Sequence, residues 1–220
     1  MLDGYRSVGE RWLAPLADRL AKGGADRLTW ASLVCAGAAG VCYTRASPEA
    51  PLFLVLGALF VLANALLDAL DGMVARKTLT ASKAGDFLDH ALDRYADLFI
   101  IGGLAASAFG GFTWGFYAVT GVFLTSYMGT QGAAVGLKRD YKGVLGRADR
   151  LILLTLVPLL AAVFVLAGLP SAFALPGGLD AYGLPSAVTL IQGLLGAFAL
   201  LGHATAVQRF RRARAALAAA

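Results

Sequence analysis

The 220-residue chain is 58% hydrophobic and 15% charged, with 19 Lys and Arg against 14 Asp and Glu for a formal net charge of +5. Such a chain is too apolar for an ordinary soluble domain and belongs with integral membrane proteins. Its basic residues are divided among short groups flanking apolar runs, which suits anionic headgroups and anionic substrates and argues against a nucleic-acid partner.

In chain order, residues 2–21 read as an amphipathic helix, because Tyr5, Val8, Trp12, Leu16 and Leu20 recur at helical spacing between charges. Such a helix lies in the membrane interface. Asp3, Arg6, Glu10, Arg11, Asp18 and Arg19 interrupt any signal-type apolar core, so no cleavable leader is expected here. Apolar runs follow at 28–44, 51–70, 87–109, 113–137, 151–169 and 185–207. Each is near the roughly 20 residues that a membrane span requires. Gly and Pro punctuate the gaps at Ser47-Pro48, Gly110-Gly111 and 170–183. Cys35 and Cys42 read as small buried hydrophobes, since two helical turns separate their Cα atoms by ~10 Å, too far for a disulfide.

The fold expected is an all-α integral membrane bundle of six transmembrane helices preceded by an N-terminal interfacial helix. It forms one domain over 1–220: helix 1–22, bundle 28–207 and a basic tail 208–220. Six spans put four basic groups on one side: Arg6, Arg11, Arg19, Lys22 and Arg27; Arg76, Lys77 and Lys83; Lys138, Arg139, Lys142, Arg147 and Arg150; and Arg209, Arg211, Arg212 and Arg214. The positive-inside rule makes that side cytoplasmic, with both termini on it. The expected location is therefore the cell membrane, multi-pass.

The acidic residues are more specific. Asp68, Asp71, Asp86, Asp89, Asp93 and Asp97 fall within one short stretch of apolar sequence. Asp68 and Asp71 are three apart and Asp89 and Asp93 four apart, so each pair shares a helix face. Ionised carboxylates at membrane depth are costly and mark function. Two such pairs facing each other repel unless cations lie between them, and hard divalent ions with oxygen ligands, Mg2+ or Mn2+, suit the site. Two ions held by four carboxylates would clamp the attacking and leaving oxygens of a phosphoryl-group substrate. Gly72 and Gly85 leave room for a nucleotide to approach the backbone, Ala75 keeps that face shallow, and Arg76 offers a fork for phosphate. Asp86 reads as a charge complementing a helix N-terminus, and Asp97 as a supporting residue or a partner of Arg94. His90 and His203 read as packing or interfacial residues.

At these positions the sequence resembles the CDP-alcohol phosphotransferase family, whose signature is D-x2-D-G-x2-A-R-x8-G-x3-D-x3-D. Asp68, Asp71, Gly72, Ala75, Arg76, Gly85, Asp89 and Asp93 fill every fixed position at the right interval. The resemblance implies a membrane enzyme of phospholipid synthesis that moves a phosphatidyl-type group, diacyl or isoprenoid ether, from a CDP-lipid to an alcohol and releases CMP. It implies metal at Asp68, Asp71, Asp89 and Asp93, with Asp93 also the general base. It implies CDP contacts from Thr29, Asp68, Asp71, Gly72, Ala75, Arg76, Ser82 and Gly85. It also implies a homodimer whose polar cavity opens to the cytosol.

Arg139, Lys142, Arg147 and Arg150 form a second basic group at the start of the fifth apolar run. Four cations exceed what a neutral alcohol such as serine needs, and they suit a phosphorylated acceptor. The arrangement resembles that of family members using inositol phosphate, favoured here over glycerol phosphate. Flanking charge set by topology would account for the same residues. Arg209, Arg211, Arg212 and Arg214 read as flanking charge, and Asp149 as a residue that orients an arginine. A cation-coupled transporter would need carboxylates spread along a path across the bilayer. A metal-dependent phosphatase would leave Gly72, Ala75, Arg76 and Gly85 at family spacing as coincidence.

Overall fold

The computed structural model describes residues 6–144, 146–175 and 185–219. Among them are seven α-helices and one short hairpin. Helix α1 (Arg6–Leu20) passes through a 3-10 turn at Ala21–Gly23 into α2 (Ala25–Thr44). Then come α3 (Leu52–Lys77), α4 (Lys83–Ala106), α5 (Phe112–Ala134) and α6 (Arg147–Leu166). Strands β1 (Ala172–Ala174) and β2 (Ala187–Thr189) pair antiparallel, with Ala172 opposite Thr189, and α7 (Leu190–Ala218) follows. Part of the gap expected at 170–183 thus carries a strand, too short for an alternating pattern to announce it.

Two helices run further than their apolar runs. α3 continues past Leu70 to Lys77, and α7 carries the basic segment on to Ala218. Neither extension contains a proline, so the backbone keeps satisfying its hydrogen bonds helically. Among the described residues, α3, α6 and α7 are long and apolar enough to cross a membrane. Large apolar side chains such as Val34, Leu59, Leu156 and Leu200 face outward from the bundle. An outside this apolar suits lipid and not water.

α2 packs against α3 and α4, α3 against α6, and α5 against α7, with α4 bridging the two groups. The core between them holds Tyr43, Leu54, Val61, Ile100, Leu104, Leu154 and Phe198. Small residues allow the tightest approaches. A Cβ added at Gly103 of α4 would lie 2.4 Å from the Gly40 carbonyl oxygen of α2. α1 does not stand apart from the bundle: Ala17 and Leu20 pack on Leu70, Met73 and Val74 of α3, and Asp18 pairs with Lys77. α1 therefore braces the end of α3, while Trp12 and Leu16 on α1 remain exposed. Both cysteines are free thiols.

Pro158 lies inside α6. A proline lacks the N–H that would bond the carbonyl four residues back, here Leu154. The fully buried Tyr43 hydroxyl donates to that carbonyl at 2.7 Å, so α2 supplies the missing donor to α6. Tyr43→Phe leaves this buried acceptor unpaired and should cost about 1–3 kcal/mol. Adding Pro158→Ala restores a backbone donor, so the double variant should unfold later than Tyr43→Phe alone when both are followed thermally in detergent.

Candidate active site

The site is built on one helix–turn–helix. Asp68, Asp71, Gly72, Ala75 and Arg76 occupy the last turns of α3, and Gly85, Asp89 and Asp93 the first turns of α4. Between them, Thr78 Oγ1 donates to the Val74 carbonyl at 2.8 Å and ends α3. Ser82 opens α4 as its cap, accepting from the Gly85 N–H at 3.1 Å. The Ser82 oxygen thus has a structural duty, while its hydroxyl hydrogen remains able to donate.

The two expected carboxylate pairs do come together. One carboxylate oxygen from each of Asp68, Asp71 and Asp89 lies within 4.8 Å of the other two, and ligand atoms of Asp89, His90 and Asp93 form a second group within the same limit. Asp71 and Asp93 are each only 6% exposed. Asp71 Oδ2 is buried with no hydrogen-bond partner among the described residues. An orphaned anionic oxygen beside two further carboxylates fits a hard divalent cation. Thr29, at the start of α2, keeps its hydroxyl within reach of the Ala25 carbonyl at 3.3 Å and of the Asp71 carboxylate.

The two glycines differ in what lies over them. A Cβ at Gly85 would meet only Ser82 Oγ at 3.5 Å, and one at Gly72 would meet Arg76 Nη1 at 3.3 Å. The Arg76 guanidinium therefore lies over Gly72, where it adjoins the Asp68–Asp71 face of α3. A shallow, cationic surface next to three carboxylates fits a metal-bridged diphosphate.

The basic group at 139–150 divides. Arg147 reaches out of α6 into the carboxylates: its Nη1 donates to Asp68 Oδ1 at 2.9 Å and also pairs with Asp93 Oδ1. Arg150 turns to α4 instead, 5% exposed, and its Nη2 donates to Asp97 Oδ2 at 3.1 Å. Arg139 stacks its guanidinium over the Tyr141 ring at 5.2 Å. Lys142 has an exposed side chain, while its carbonyl accepts from Arg209 and its N–H donates to Asp140. Asp149 accepts from the Gly146 N–H at 3.1 Å, which makes it the cap of α6 in addition to any part it plays beside an arginine.

Several contacts around the site were not evident in the sequence. His90, expected as a packing or interfacial residue, lies 3.2 Å from Asp86 and 3.6 Å from Asp89, and the four-residue step from Asp86 was the available signal. Arg209 and Arg212, expected as flanking charge, clasp the segment at 140–142. Both donate to the Lys142 carbonyl at 3.1 Å, Arg209 also to the Thr125 carbonyl at 2.7 Å, and Arg212 to Asp140 at 2.7 Å. Partial burial raises the Asp140 carboxyl, but Arg212 and the Lys142 N–H outweigh it and hold the carboxyl below the usual carboxylate range.

The family model for CDP-alcohol phosphatidyltransferase matches residues 24–177. The chain belongs to the CDP-alcohol phosphatidyltransferase family. It is accordingly a membrane transferase of a divalent-metal-dependent family. It is 34% identical over 154 residues to the archaetidylinositol phosphate synthase of Methanothermobacter thermautotrophicus, covering 70% of this chain and 75% of that one. It is 28% identical over 206 residues to the phosphatidylinositol phosphate synthase of Cutibacterium acnes, covering 89% of this chain and 96% of that one. Its fold is similar to the crystal structure of Mycobacterium tuberculosis phosphatidylinositol phosphate synthase with CDP-DAG bound, with a TM-score of 0.69 at 23% identity, over 92% of this chain and 94% of that one. The same mycobacterial protein in complex with manganese and citrate gives a TM-score of 0.68 at 24% identity, over 90% of this chain and 87% of that one.

A cation that binds the folded state and not the unfolded one stabilises it by about 2.7 kcal/mol at a hundred times its dissociation constant. Manganese should therefore raise the unfolding midpoint of the purified chain. Asp71→Asn, which keeps the volume and removes the charge, should abolish most of that rise. An unchanged rise in the variant would exclude Asp71 as a ligand.

Proposed function

We propose that this chain is a six-span, cytoplasm-facing membrane enzyme that transfers a phosphatidyl-type group from a CDP-lipid to a phosphorylated alcohol, with inositol phosphate favoured over glycerol phosphate. One observation carries the reading. A cation from α6, Arg147, reaches the carboxylates that α3 and α4 assemble, so a site for an anionic acceptor adjoins the site for the activated donor. The names of the relatives support the same acceptor class, since both the archaeal and the bacterial relatives are inositol phosphate lipid synthases. The mycobacterial structures, one with CDP-DAG and one with manganese and citrate, support the donor and the metal.

In this reading Asp68, Asp71, Asp89 and Asp93 hold two Mg2+ or Mn2+ ions. When bound, the ions neutralise the carboxylates and draw electron density from the diphosphate. Asp68, Asp71, Gly72, Ala75, Arg76 and Gly85 receive the CDP moiety, with Thr29 and Ser82 at its edge. Arg147 orients the acceptor phosphate, with Arg139 and Lys142 at the rim and Arg150 behind. Asp93 takes the proton of the acceptor hydroxyl, whose oxygen bonds to the β-phosphorus. The bond from that phosphorus to the bridging oxygen breaks, and CMP leaves with the electron pair. The three helices long and apolar enough to cross a membrane, with α2, α4 and α5 beside them, make the six spans of one domain over 1–220. α1 lies at the interface with Trp12 and Leu16 toward lipid, and two chains form a homodimer.

CMP release from a CDP-lipid tests this directly, with magnesium and a panel of inositol 1-phosphate, glycerol 3-phosphate, inositol, glycerol, serine and no acceptor. Release should require a phosphorylated alcohol. Equal release without acceptor would make the chain a hydrolase. A charge-assisted hydrogen bond contributes about 1.5–3 kcal/mol, so Arg147→Ala should raise the acceptor KM about tenfold or more while the donor KM changes little. Excess chelator should abolish turnover.

A further inference from the structure

Below the carboxylate cluster lies a second, smaller charge group that the signature does not contain. Asp97 is 2% exposed, and its Oδ2 receives two guanidinium groups. Arg94 Nη1 lies at 3.0 Å and Arg150 Nη2 at 3.1 Å. Arg94 also reaches the other way, with Nη2 3.6 Å from Asp93 Oδ2. Arg150 Nε is buried with no hydrogen-bond partner, so the side chain has no second anchor at that atom among the described residues.

The spacing gives the group its meaning. Asp93 and Asp97 are one turn apart on α4, and Arg147 and Arg150 one turn apart on α6. Asp93 pairs with Arg147 and Asp97 with Arg150, so the two helices are joined by two rungs that run in the same direction along both. α6 packs against α3 and α7, and it reaches α4 through these rungs. The upper rung is reactive in the reading above, because Arg147 and Asp93 must both be able to meet substrate. The lower rung is closed to solvent, and its carboxylate is held by two guanidinium groups. It fixes the rotation of the first turn of α6, and that rotation decides where the Arg147 guanidinium falls.

We propose that Asp97 is a positioning residue for the transfer reaction: by holding Arg150 and Arg94 it sets Arg147 and Asp93 for the acceptor. The proposal rests on the acceptor role given to Arg147 above. It assigns Asp97 no metal and no direct contact with substrate. A single carboxylate oxygen shared by two arginines is already committed, whereas Asp71 has an oxygen to spare.

The test uses the full chain in detergent with manganese. Affinities for inositol 1-phosphate and for CDP are measured separately by calorimetry, with the unfolding midpoint, for wild type, Asp97→Asn, Asp97→Glu and Asp97→Asn/Arg150→Gln. Asp97→Asn should weaken inositol 1-phosphate at least tenfold and CDP less than twofold, and Asp97→Glu should recover part of the loss. The double variant leaves no unpaired guanidinium at position 150. It should recover its unfolding midpoint without recovering phosphate affinity. Equal losses for both ligands, or phosphate affinity that returns together with the midpoint, would overturn the proposal. If Asp97→Asn does not fold, the double variant decides by the same comparison of ligands. A wild-type chain that binds no phosphorylated alcohol contradicts the acceptor reading, and manganese affinity then decides the role of Asp97. An effect of Asp97→Asn that vanishes in an Arg147→Ala background supports action through Arg147, and additive effects overturn it.

Discussion

Charge balance among buried carboxylates governs this structure. Asp68, Asp71, Asp89 and Asp93 sit at the ends of two neighbouring helices, two of them nearly closed to solvent. Like charges so close cannot persist in a low-dielectric setting without compensation. Arg147 supplies part of it from a third helix, and the orphaned Asp71 oxygen calls for a cation to supply more. Much of the surrounding architecture serves that arrangement. α1 braces the end of α3, Ser82 caps α4, Asp149 caps α6, and Asp97 anchors the arginine beside Arg147.

The energetic consequence is asymmetric. A buried ion pair adds little net stability compared with a well-packed apolar pair, but removing one partner costs about 3–5 kcal/mol. Asp97–Arg150 and Asp93–Arg147 are therefore poor candidates for a role in stability alone. Retaining charges at this depth makes sense where their position matters to a reaction. The apolar part of the bundle meets its own constraints by other means, as at Pro158, where Tyr43 restores the lost donor, and at Gly40 and Gly103, where small residues bring α2 and α4 into backbone contact.

The metal-ligand candidates were legible in the sequence because their information is local. Steps of three and four residues put Asp68 with Asp71 and Asp89 with Asp93 on shared faces whatever else the chain does. The fate of the 139–150 cluster was not legible. Arg147 and Arg150 are alike as residues, and only packing across three helices sends one to the carboxylates and buries the other on Asp97. The loop clasp was equally hidden, because Arg209 and Arg212 reach partners far away in sequence, and flanking charge predicts the same residues without the contacts. The hairpin at β1 and β2 failed on length, with three residues in each strand.

The central claim is that the α3–α4 carboxylates are the metal site of a transferase and that Arg147 borders it. Anomalous diffraction from crystals of the full chain grown with manganese tests it most directly. The account predicts two peaks bounded by Asp68, Asp71, Asp89 and Asp93, with Arg147 beside them and Asp97 still paired to Arg150. Peaks at Asp86 and His90 alone, or an ion bound to Asp97, would contradict it.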